Sequence, residues 1–297
     1  MLDPRWCEDL GVIVMDESVV LITGTSSGIG LATAVAAARA GHTVVATMRD
    51  TSKSGALLDA AEAAGVEVDV RELNVLDESD IESCIATTFT DYGRLDAVIN
   101  NAGGGHIGTI ELESLGKVRT VMEANFFGVV AVTHSALPHL RASRGRLITI
   151  SSVGGTVGQP FNEAYCASKF AVEGFMESLA PVAASVGVSV TVVEPGPVSS
   201  EFVANLGADF PAMIRTAGPY TRALESYLRR TQAQFSSSNA QTPAEVGQIV
   251  ADLLTASPAP ARVQTSDYAR SFIGTKIADL DGSAVQAVTA GWVSGAA

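Results

Sequence analysis

Short runs of β-branched and aliphatic residues alternate along the chain with longer, alanine-rich stretches whose apolar positions recur at helical spacing. Uninterrupted apolar runs are typical of strands that are buried on both faces of a parallel sheet. The runs predict strands at 19–23, 43–48, 66–70, 95–100, 146–151, 189–194 and 262–265. Helices are predicted near 28–40, 54–64, 78–91, 113–142, 163–186 and 243–255. Strands separated by helices indicate an α/β fold, a doubly wound parallel sheet of about seven strands with helices on both faces.

The regular alternation covers most of the chain and predicts a single domain over residues 18–265. Residues 196–240 depart from it, with Gly, Pro and Ser beside one amphipathic stretch, and are interpreted as an irregular insertion. Residues 1–17 are predicted to be an N-terminal extension. Residues 266–297 form a C-terminal tail to which the pattern assigns no function.

Composition narrows the possible partners and locations. Of 297 residues, 47% are hydrophobic and 17% charged, which excludes a disordered chain. The formal charge of −13 leaves no overall basic field for DNA or RNA, so no nucleic-acid partner is expected. Cys7, Cys84 and Cys166 lack paired spacing, so we expect reduced thiols, with neither a disulfide framework nor a metal site.

Targeting and membrane segments are not expected either. The N-terminus has no basic region followed by a long apolar one, so it is not a secretory signal. The longest uncharged runs, 125–140 and 178–193, are interrupted by His, Pro, Gly or Ser and fall short of a membrane span. The prediction is a cytoplasmic protein.

A glycine-rich segment, "TGTSSGIG" at 23–30, joins the first strand to the first helix. Glycines at 24, 28 and 30 allow a sharp turn and let the backbone approach a pyrophosphate, which then lies at the helix N-terminus. The alternative is an ordinary turn rich in capping residues. The strand before and the helix after favour a dinucleotide site in a Rossmann-type fold.

The end of the second strand bears on the choice of dinucleotide. An acidic residue there holds the ribose 2′-hydroxyl of NAD, whereas an arginine accommodates the 2′-phosphate of NADP. The sequence has Met48 followed by Arg49, and Ser26 and Ser27 add hydroxyl donors. Asp50 either caps the next turn or weakens the anion site. NADP(H) is therefore the predicted cofactor, with NAD(H) as the alternative.

Several motifs occur in an order that resembles the short-chain dehydrogenase/reductase family. They are "TGTSSGIG", "NNAG" at 100–103, "NFFG" at 125–128, "SS" at 151–152, "YCASK" at 165–169 and "PGPV" at 195–198. The resemblance covers about 19–265, and the stretch around "YCASKF" looks most like the 17β-hydroxysteroid and retinol dehydrogenase branch. One departure is Asn74, where the family often has Asp near the adenine. The resemblance implies an NAD(P)-dependent alcohol or ketone oxidoreductase.

The resemblance also implies roles for four residues. Tyr165 and Lys169 are four residues apart and so share one helix face. Tyr165 would exchange a proton with the substrate oxygen, and Lys169 would lower the pKa of Tyr165 and hold the nicotinamide ribose. Ser152 would hydrogen-bond the same oxygen, and Asn125 would support a proton relay. Taken singly, Lys169 is also consistent with a solvated helix charge, Ser152 with a turn residue and Asn125 with a helix cap or kink.

Further cofactor contacts are carried over from the family motifs. They comprise the glycine loop, the segment after the third strand, the "NNAG" turn and the "PGPVSS" segment. The residues are Gly24, Ser26, Ser27, Gly28, Ile29, Gly30, Arg49, Asn74, Val75, Asn101, Ala102, Gly103, Tyr165, Lys169, Pro195, Gly196, Val198 and Ser200.

The insertion is expected to supply the substrate side of the site. Its apolar members are Phe202, Leu206, Phe210, Met213, Ile214, Tyr220, Leu224, Tyr227 and Phe235. They favour an apolar pocket, but Tyr220, Leu224, Tyr227 and Leu228 at helical spacing equally favour packing on the core. The same segment carries Arg215, Arg222, Arg229 and Arg230.

Three functions follow from these patterns. The first is NADP(H)-dependent oxidation or reduction of a small hydrophobic substrate, a steroid- or retinoid-like secondary alcohol or ketone. The second is reduction of 3-oxoacyl thioesters, using the arginines. The third is a non-catalytic nucleotide-sensing protein, against which the complete Asn125, Ser152, Tyr165 and Lys169 set argues. The family resemblance further implies a homodimer or homotetramer, built on the helices of 113–142 and 163–186.

Overall fold

The computed structural model describes residues 18–200, 209–236 and 238–294. The predicted extension 1–17 and the predicted pocket residues Phe202 and Leu206 lie outside the described residues. In the described part of the chain, seven strands form one parallel sheet in the order β3-β2-β1-β4-β5-β6-β7. They are β1 Val19–Thr23, β2 Thr43–Met48, β3 Asp69–Glu72, β4 Ala97–Asn100, β5 Arg146–Ile150, β6 Ser189–Glu194 and β7 Arg262–Gln264. The predicted fold class is confirmed.

Eleven α-helices are found in the described part of the chain. Those between the strands are α1 Gly28–Arg39, α2 Gly55–Ala64, α3 Glu78–Tyr92, α4 Leu115–Met122, α5 Gly128–Ser143, α6 Glu163–Ala184 and α9 Pro243–Asp252. Those of the insertion and the C-terminal segment are α7 Phe210–Thr216, α8 Thr221–Gln234, α10 Asp267–Ala278 and α11 Ser283–Ser294. No helix among these residues is long and apolar enough to cross a membrane.

The sheet has an apolar layer on each face. Ile81, Leu140 and Met176 belong to the layer formed with α3, α5 and α6. Ala34 and Val250 belong to the opposite layer, formed with α1, α2 and α9. All strands except the two at the edges are therefore covered on both faces, which explains their nearly continuous apolar sequences.

A third apolar cluster lies apart from these two layers. It joins the insertion to the C-terminal segment through Leu224 and Tyr227 of α8, Phe272 of α10 and Trp292 of α11. Phe161, just before α6, also belongs to it, with its ring centroid 5.5 Å from that of Tyr227. The C-terminal segment is thus two helices packed against the insertion.

The strand order reverses between β1 and β4, which pair side by side. In open parallel sheets, loops on either side of such a reversal diverge and leave a crevice at the carboxyl ends of the strands. The glycine loop follows β1 and the "NNAG" turn follows β4, so both lie at this crevice.

Candidate active site

The glycine loop between β1 and α1 is held close to the turn that follows β4. Gly24 has a φ of +73°, and a Cβ added there would lie 2.8 Å from the Cα of Ala102. A Cβ added at Gly30 would lie 2.2 Å from the backbone oxygen of Gly24. Both positions therefore require glycine, and the loop backbone stays open to a ligand at the N-terminus of α1.

Asn101 fastens this loop to β4. Its Nδ2 donates to the backbone oxygens of Thr23 and Gly24 at 2.8 and 2.9 Å. In return the Thr23 hydroxyl accepts from the backbone nitrogens of Asn101 and Ala102, both at 3.0 Å. The side-chain amide of Asn101 therefore fixes the conformation of the glycine loop.

A cavity of about 930 Å³ runs along the carboxyl ends of the strands from β2 to the C-terminal segment. Every residue predicted to contact the cofactor lines it: Gly24, Ser26, Ser27, Gly28, Ile29, Gly30, Arg49, Asn74, Val75, Asn101, Ala102, Gly103, Tyr165, Lys169, Pro195, Gly196, Val198 and Ser200. Ser152 lines it as well. The glycine cradle and the length of the cavity fit an extended dinucleotide.

Two cations border the cavity just after β2. Arg49, which is exposed, lies there as predicted, and Lys53 lies one short turn further along. Asp50 caps that turn by accepting from the backbone nitrogen of Ser52 at 3.1 Å, and it lies 3.9 Å from the Lys53 ammonium. The capping alternative for Asp50 is therefore the one seen.

Ser152 and Tyr165 meet at the far end of the cavity. Ser152 follows β5, where its hydroxyl accepts from the backbone nitrogen of Gly154 at 3.0 Å, so its turn-capping alternative is also seen. Burial raises the pKa of Tyr165 to about 12, while a hydrogen bond with Ser152 opposes that rise. Burial is therefore the main influence on the pKa of Tyr165, and the expected lowering by Lys169 stays a prediction.

Lys169 lies one helical turn after Tyr165 and is almost fully buried, with 6% of its surface exposed. Its ammonium donates to the backbone oxygen of Ile150 at 2.9 Å. Burial lowers the pKa of Lys169 to about 8, and nearby Glu173 acts in the opposite direction. The alternative of a solvated helix charge is therefore excluded.

Asn125 lies behind the cavity wall rather than in it. It belongs to a π-helical turn, Glu123–Phe127, that separates α4 from α5. Its Oδ1 accepts from the backbone nitrogen of Gly104 at 2.8 Å, and its Nδ2 donates to Gly104 oxygen at 2.9 Å and to the Ser168 hydroxyl at 3.1 Å. π-Turns often occur at functional sites, and this one places the Asn125 amide beside the loop that carries Gly103.

A second cavity, of about 660 Å³, adjoins the first. Its walls are mostly apolar and are supplied by the insertion: Phe210, Pro211, Ile214, Leu228 and Phe235 line it together with Ile107. Ser200, Thr231, Ile107 and Phe235 border both cavities. Leu224 and Tyr227 pack in the third apolar cluster while Leu228 faces the second cavity, so both interpretations of the insertion hold in part.

The four arginines of the insertion do not form a cluster at the site. Arg215 and Arg222 are exposed and border neither cavity. Arg229 borders the second cavity, and Arg230 borders the first.

Several residues of the site were not predicted. Gln159 and Asn162 are two of them, and both line the first cavity with Tyr165. Asn162 Nδ2 donates to the hydroxyl of Tyr227, a residue expected in the apolar pocket that lines the first cavity instead. The C-terminal segment contributes Tyr268 to the wall beside Gly196. Trp292 of the same segment lies behind the wall, with its ring centroid 3.4 Å from Cζ of Arg230. Asn162 stands three residues before Tyr165 and could have been suspected from that spacing. No pattern marks the C-terminal contribution.

Comparisons with known proteins match this arrangement. The family model for short chain dehydrogenases matches residues 18–210. Retinol dehydrogenase 8 of Bos taurus is 38% identical over 89% of this chain and 86% of its own length. Estradiol 17-beta-dehydrogenase 1 of Rattus norvegicus is 40% identical over 83% of this chain and 72% of its own length. A crystal structure of a variant of actinorhodin polyketide ketoreductase with NADPH superposes with a TM-score of 0.72 at 30% identity, over 84% of this chain and 95% of that one.

Proposed function

The chain belongs to the short chain dehydrogenase family and is therefore an oxidoreductase, and on that premise we propose that it transfers hydride between NADP(H) and a hydrophobic secondary alcohol or ketone. The observation that carries the proposal is the meeting of Ser152, Tyr165 and Lys169 in the cavity wall next to a second, apolar cavity. A substrate in the second cavity would reach Tyr165 where the two cavities adjoin, at the residues that border both.

In this proposal Tyr165 gives a proton to the substrate oxygen during reduction and takes it back during oxidation. Ser152, already hydrogen-bonded to Tyr165, donates to the same oxygen and stabilises the charge that develops on it. Lys169, held by Ile150, presents a buried cation that favours the phenolate form of Tyr165 and contacts the cofactor ribose. Asn125 fixes the Gly103–Gly104 backbone beside Lys169 and supports the proton relay. The nicotinamide, when bound, supplies or accepts the hydride.

The preference for NADP(H) is supported by charge. Arg49 and Lys53 both border the cavity where β2 ends, and β2 ends on Met48 rather than on an acidic residue. A 2′-phosphate would meet two cations there. The 2′-hydroxyl of NAD would meet no carboxylate among the described residues that line the cavity, and the neighbouring Asp50 is engaged by Ser52. The structurally similar polyketide ketoreductase was solved with NADPH.

The substrate class is supported by the second cavity. Aromatic and aliphatic side chains form most of its wall, and burying apolar ligand surface there contributes about 25 cal/mol per Å² before the costs of binding. The relatives named above are retinol and estradiol dehydrogenases, which by name act on bulky apolar alcohols. Reduction of 3-oxoacyl thioesters is less well supported, because only Arg229 and Arg230 of the four arginines border a cavity.

Assembly and location belong to the same proposal. Leu115, Phe127 and Phe170 are exposed on α4, the π-helical turn and α6, which supports a homodimer or homotetramer that covers them. Sedimentation of the purified protein tests this, and a monomer at micromolar concentration would contradict it. Cys84 and Cys166 are buried and free, and burial raises the pKa of each thiol to about 11, which is consistent with a reducing, cytoplasmic location.

The experiment that tests the function is a kinetic panel. NADPH and NADH oxidation would be followed with bulky apolar ketones, retinal-like aldehydes, small polar ketones and 3-oxoacyl thioesters. We expect turnover with NADPH and a much lower KM for the bulky apolar ketones than for small polar ones. Preference for 3-oxoacyl thioesters, with affinity falling as salt rises, would show that the substrates are thioesters and not hydrophobic ketones. Absence of turnover with every substrate would contradict the proposal.

A further inference from the structure

Four side chains with acid–base chemistry follow one another along one face of α6. Tyr165, Lys169, Glu173 and Glu177 are each four residues apart, so each lies about one helical turn beyond the last. The series begins in the cavity wall and ends at Glu177, whose side chain is 72% exposed. Glu173 therefore lies between the buried ammonium of Lys169 and the protein surface.

The environment of Glu173 is unusual for a carboxylate. Only 5% of its surface is exposed, and neither carboxylate oxygen makes a hydrogen bond of good geometry among the described residues. Its side chain and the Ser151 hydroxyl both border Gly155, where an added Cβ would lie 2.9 Å from Glu173 Cγ and 2.5 Å from Ser151 Oγ. A buried carboxylate that is so poorly hydrogen-bonded costs stability, so packing alone does not explain a glutamate here.

The charged groups around Glu173 come from three elements. Lys169 and Glu177 are on its own helix. Arg262 of β7 approaches it, with Nη2 3.1 Å from Glu173 Oε2 and 2.8 Å from Glu177 Oε2. Glu194 of β6 is fully buried nearby, but its two carboxylate oxygens accept from the Thr156 hydroxyl at 2.9 Å and from Gln264 Nε2 at 2.5 Å. Arg262 Nε also lies 3.9 Å from Glu194 Oε1, so Arg262 is shared among three glutamates. Of the three, only Glu173 is one helical turn from Lys169.

We propose that Glu173 is a positioning residue for the reaction, whose buried carboxylate holds Lys169 in its charged form against the cost of burying that charge. This inference rests on the proposed function, because it concerns how Lys169 acts on Tyr165. Glu173 itself touches neither substrate nor cofactor, since it lies outside the residues that line the two cavities.

The titration of the pair is consistent with this role. Burial raises the pKa of Glu173 to about 7, the neighbouring Ser151 hydroxyl and Arg262 act against that rise, and Glu194 adds to it. Glu173 is therefore ionised above about pH 7, and Lys169, whose pKa is lowered to about 8, is charged below about pH 8. The two opposite charges coexist around neutral pH, where the attraction between them extends the range over which Lys169 stays protonated.

The direct test measures the pKa of Lys169 without requiring turnover. Competitive acetylation of the folded, full-length protein with acetic anhydride at a series of pH values, read by mass spectrometry of the peptide containing Lys169, gives its apparent pKa. We expect Glu173→Gln to lower this value by on the order of one pH unit, because a neutral amide no longer favours the ammonium. Glu173→Ala serves the same purpose if the amide variant does not fold, and Glu173→Asp should restore most of the value.

Glu177→Gln is the matched control, because it removes the same charge from the same helix face. Glu177 also contacts Arg262, but it lies at the protein surface. An unchanged Lys169 value in Glu173→Gln and Glu173→Ala, or an equal shift in Glu177→Gln, would overturn the inference. The second readout is the pH profile of kcat/KM with the best ketone. Its high-pH limb should shift to lower pH in Glu173→Gln, together with the apparent pKa of Lys169 obtained by labelling. Since labelling needs no substrate, failure of the proposed function would leave the first readout intact.

Discussion

Replacement of Arg49 by alanine is the sharpest test of the cofactor assignment. Arg49 borders the cavity where β2 ends and is exposed, so its loss should leave the fold intact. Lys53 borders the same cavity and remains in the variant, partly neutralised by Asp50 at 3.9 Å. The substitution should therefore weaken the preference for NADPH without abolishing it.

The magnitude follows from the bond that the guanidinium would make. A hydrogen bond to a charged group contributes about 1.5–3 kcal/mol, so the Kd for NADPH should rise about ten- to a hundredfold. The Kd for NADH should change little, because NADH lacks the 2′-phosphate. Lys53→Ala should give a change in the same direction but a smaller one, since Asp50 already offsets part of that charge.

Arg39→Ala is the control for net charge. Arg39 lies in the last turn of α1, a helix of 12 residues whose first turn borders the cofactor cavity. A helix of that length spans about 18 Å, well beyond the Debye length of about 8 Å at physiological salt, so Arg39→Ala should not change the preference. Fluorescence titration with NADPH and NADH at two salt concentrations measures all three variants. Equal weakening of both cofactors by Arg49→Ala, or an Arg39→Ala effect of the same size, would refute the reasoning.

Three further predictions follow from the site. Tyr165→Phe should lower kcat by about 10²–10⁴-fold while NADPH still binds, since the phenol supplies the transferred proton; near-normal turnover in stopped assays would reject the mechanism. Glu173→Gln should raise the thermal stability at pH 8 but not at pH 4. Folding raises the pKa of Glu173 to about 7, so the carboxyl favours the folded state below pH 4.5, where it is protonated, and this contribution is lost as the pH rises through 7. The rise in pKa from 4.5 to about 7 corresponds to at most about 3 kcal/mol in the free energy of unfolding. A lower melting temperature of the variant than of the wild type at pH 8 would contradict this prediction. Trp292→Ala should raise the KM for a bulky ketone several-fold with little change in the Kd for NADPH, because Trp292 packs in the third apolar cluster and against Arg230, apart from the glycine loop. Val288→Ala, at an exposed position of the same helix, is its control, and a rise in the Kd for NADPH as large as the rise in KM would argue against the prediction.

Most of the sheet could be predicted because its strands are buried on both faces. β1, β2 and β6 coincide with their predicted bounds, as expected for continuous apolar runs. β3 begins at Asp69 rather than at Val66, because it is an edge strand whose start is fixed only by its pairing with Val45 of β2. The predicted helix 113–142 is two helices separated by the π-helical turn around Asn125, a change in hydrogen-bond spacing that leaves the apolar periodicity nearly unaltered.

The site could be predicted where its residues lie in contiguous motifs. The glycine loop, the "NNAG" turn and "YCASK" each place their side chains locally, so their position follows once the strand order is known. The contribution of Trp292 depends instead on a contact with Arg230, 62 positions earlier in the sequence. The pairing of Glu173 with Arg262 likewise joins α6 to β7. Contacts of this kind are decided by tertiary packing, which no local pattern encodes.

The packing of α11 on α8 also has a consequence for the order in which the protein is made. The last strand of the sheet ends at Gln264, so the nucleotide-binding half can form while the chain is still being synthesised. The substrate side is lined by α8, which packs on α11, and α11 begins only at Ser283. We therefore expect a chain interrupted between Tyr268 and Ser283 to keep the residues of the first cavity but to lack the helix that supports the substrate side.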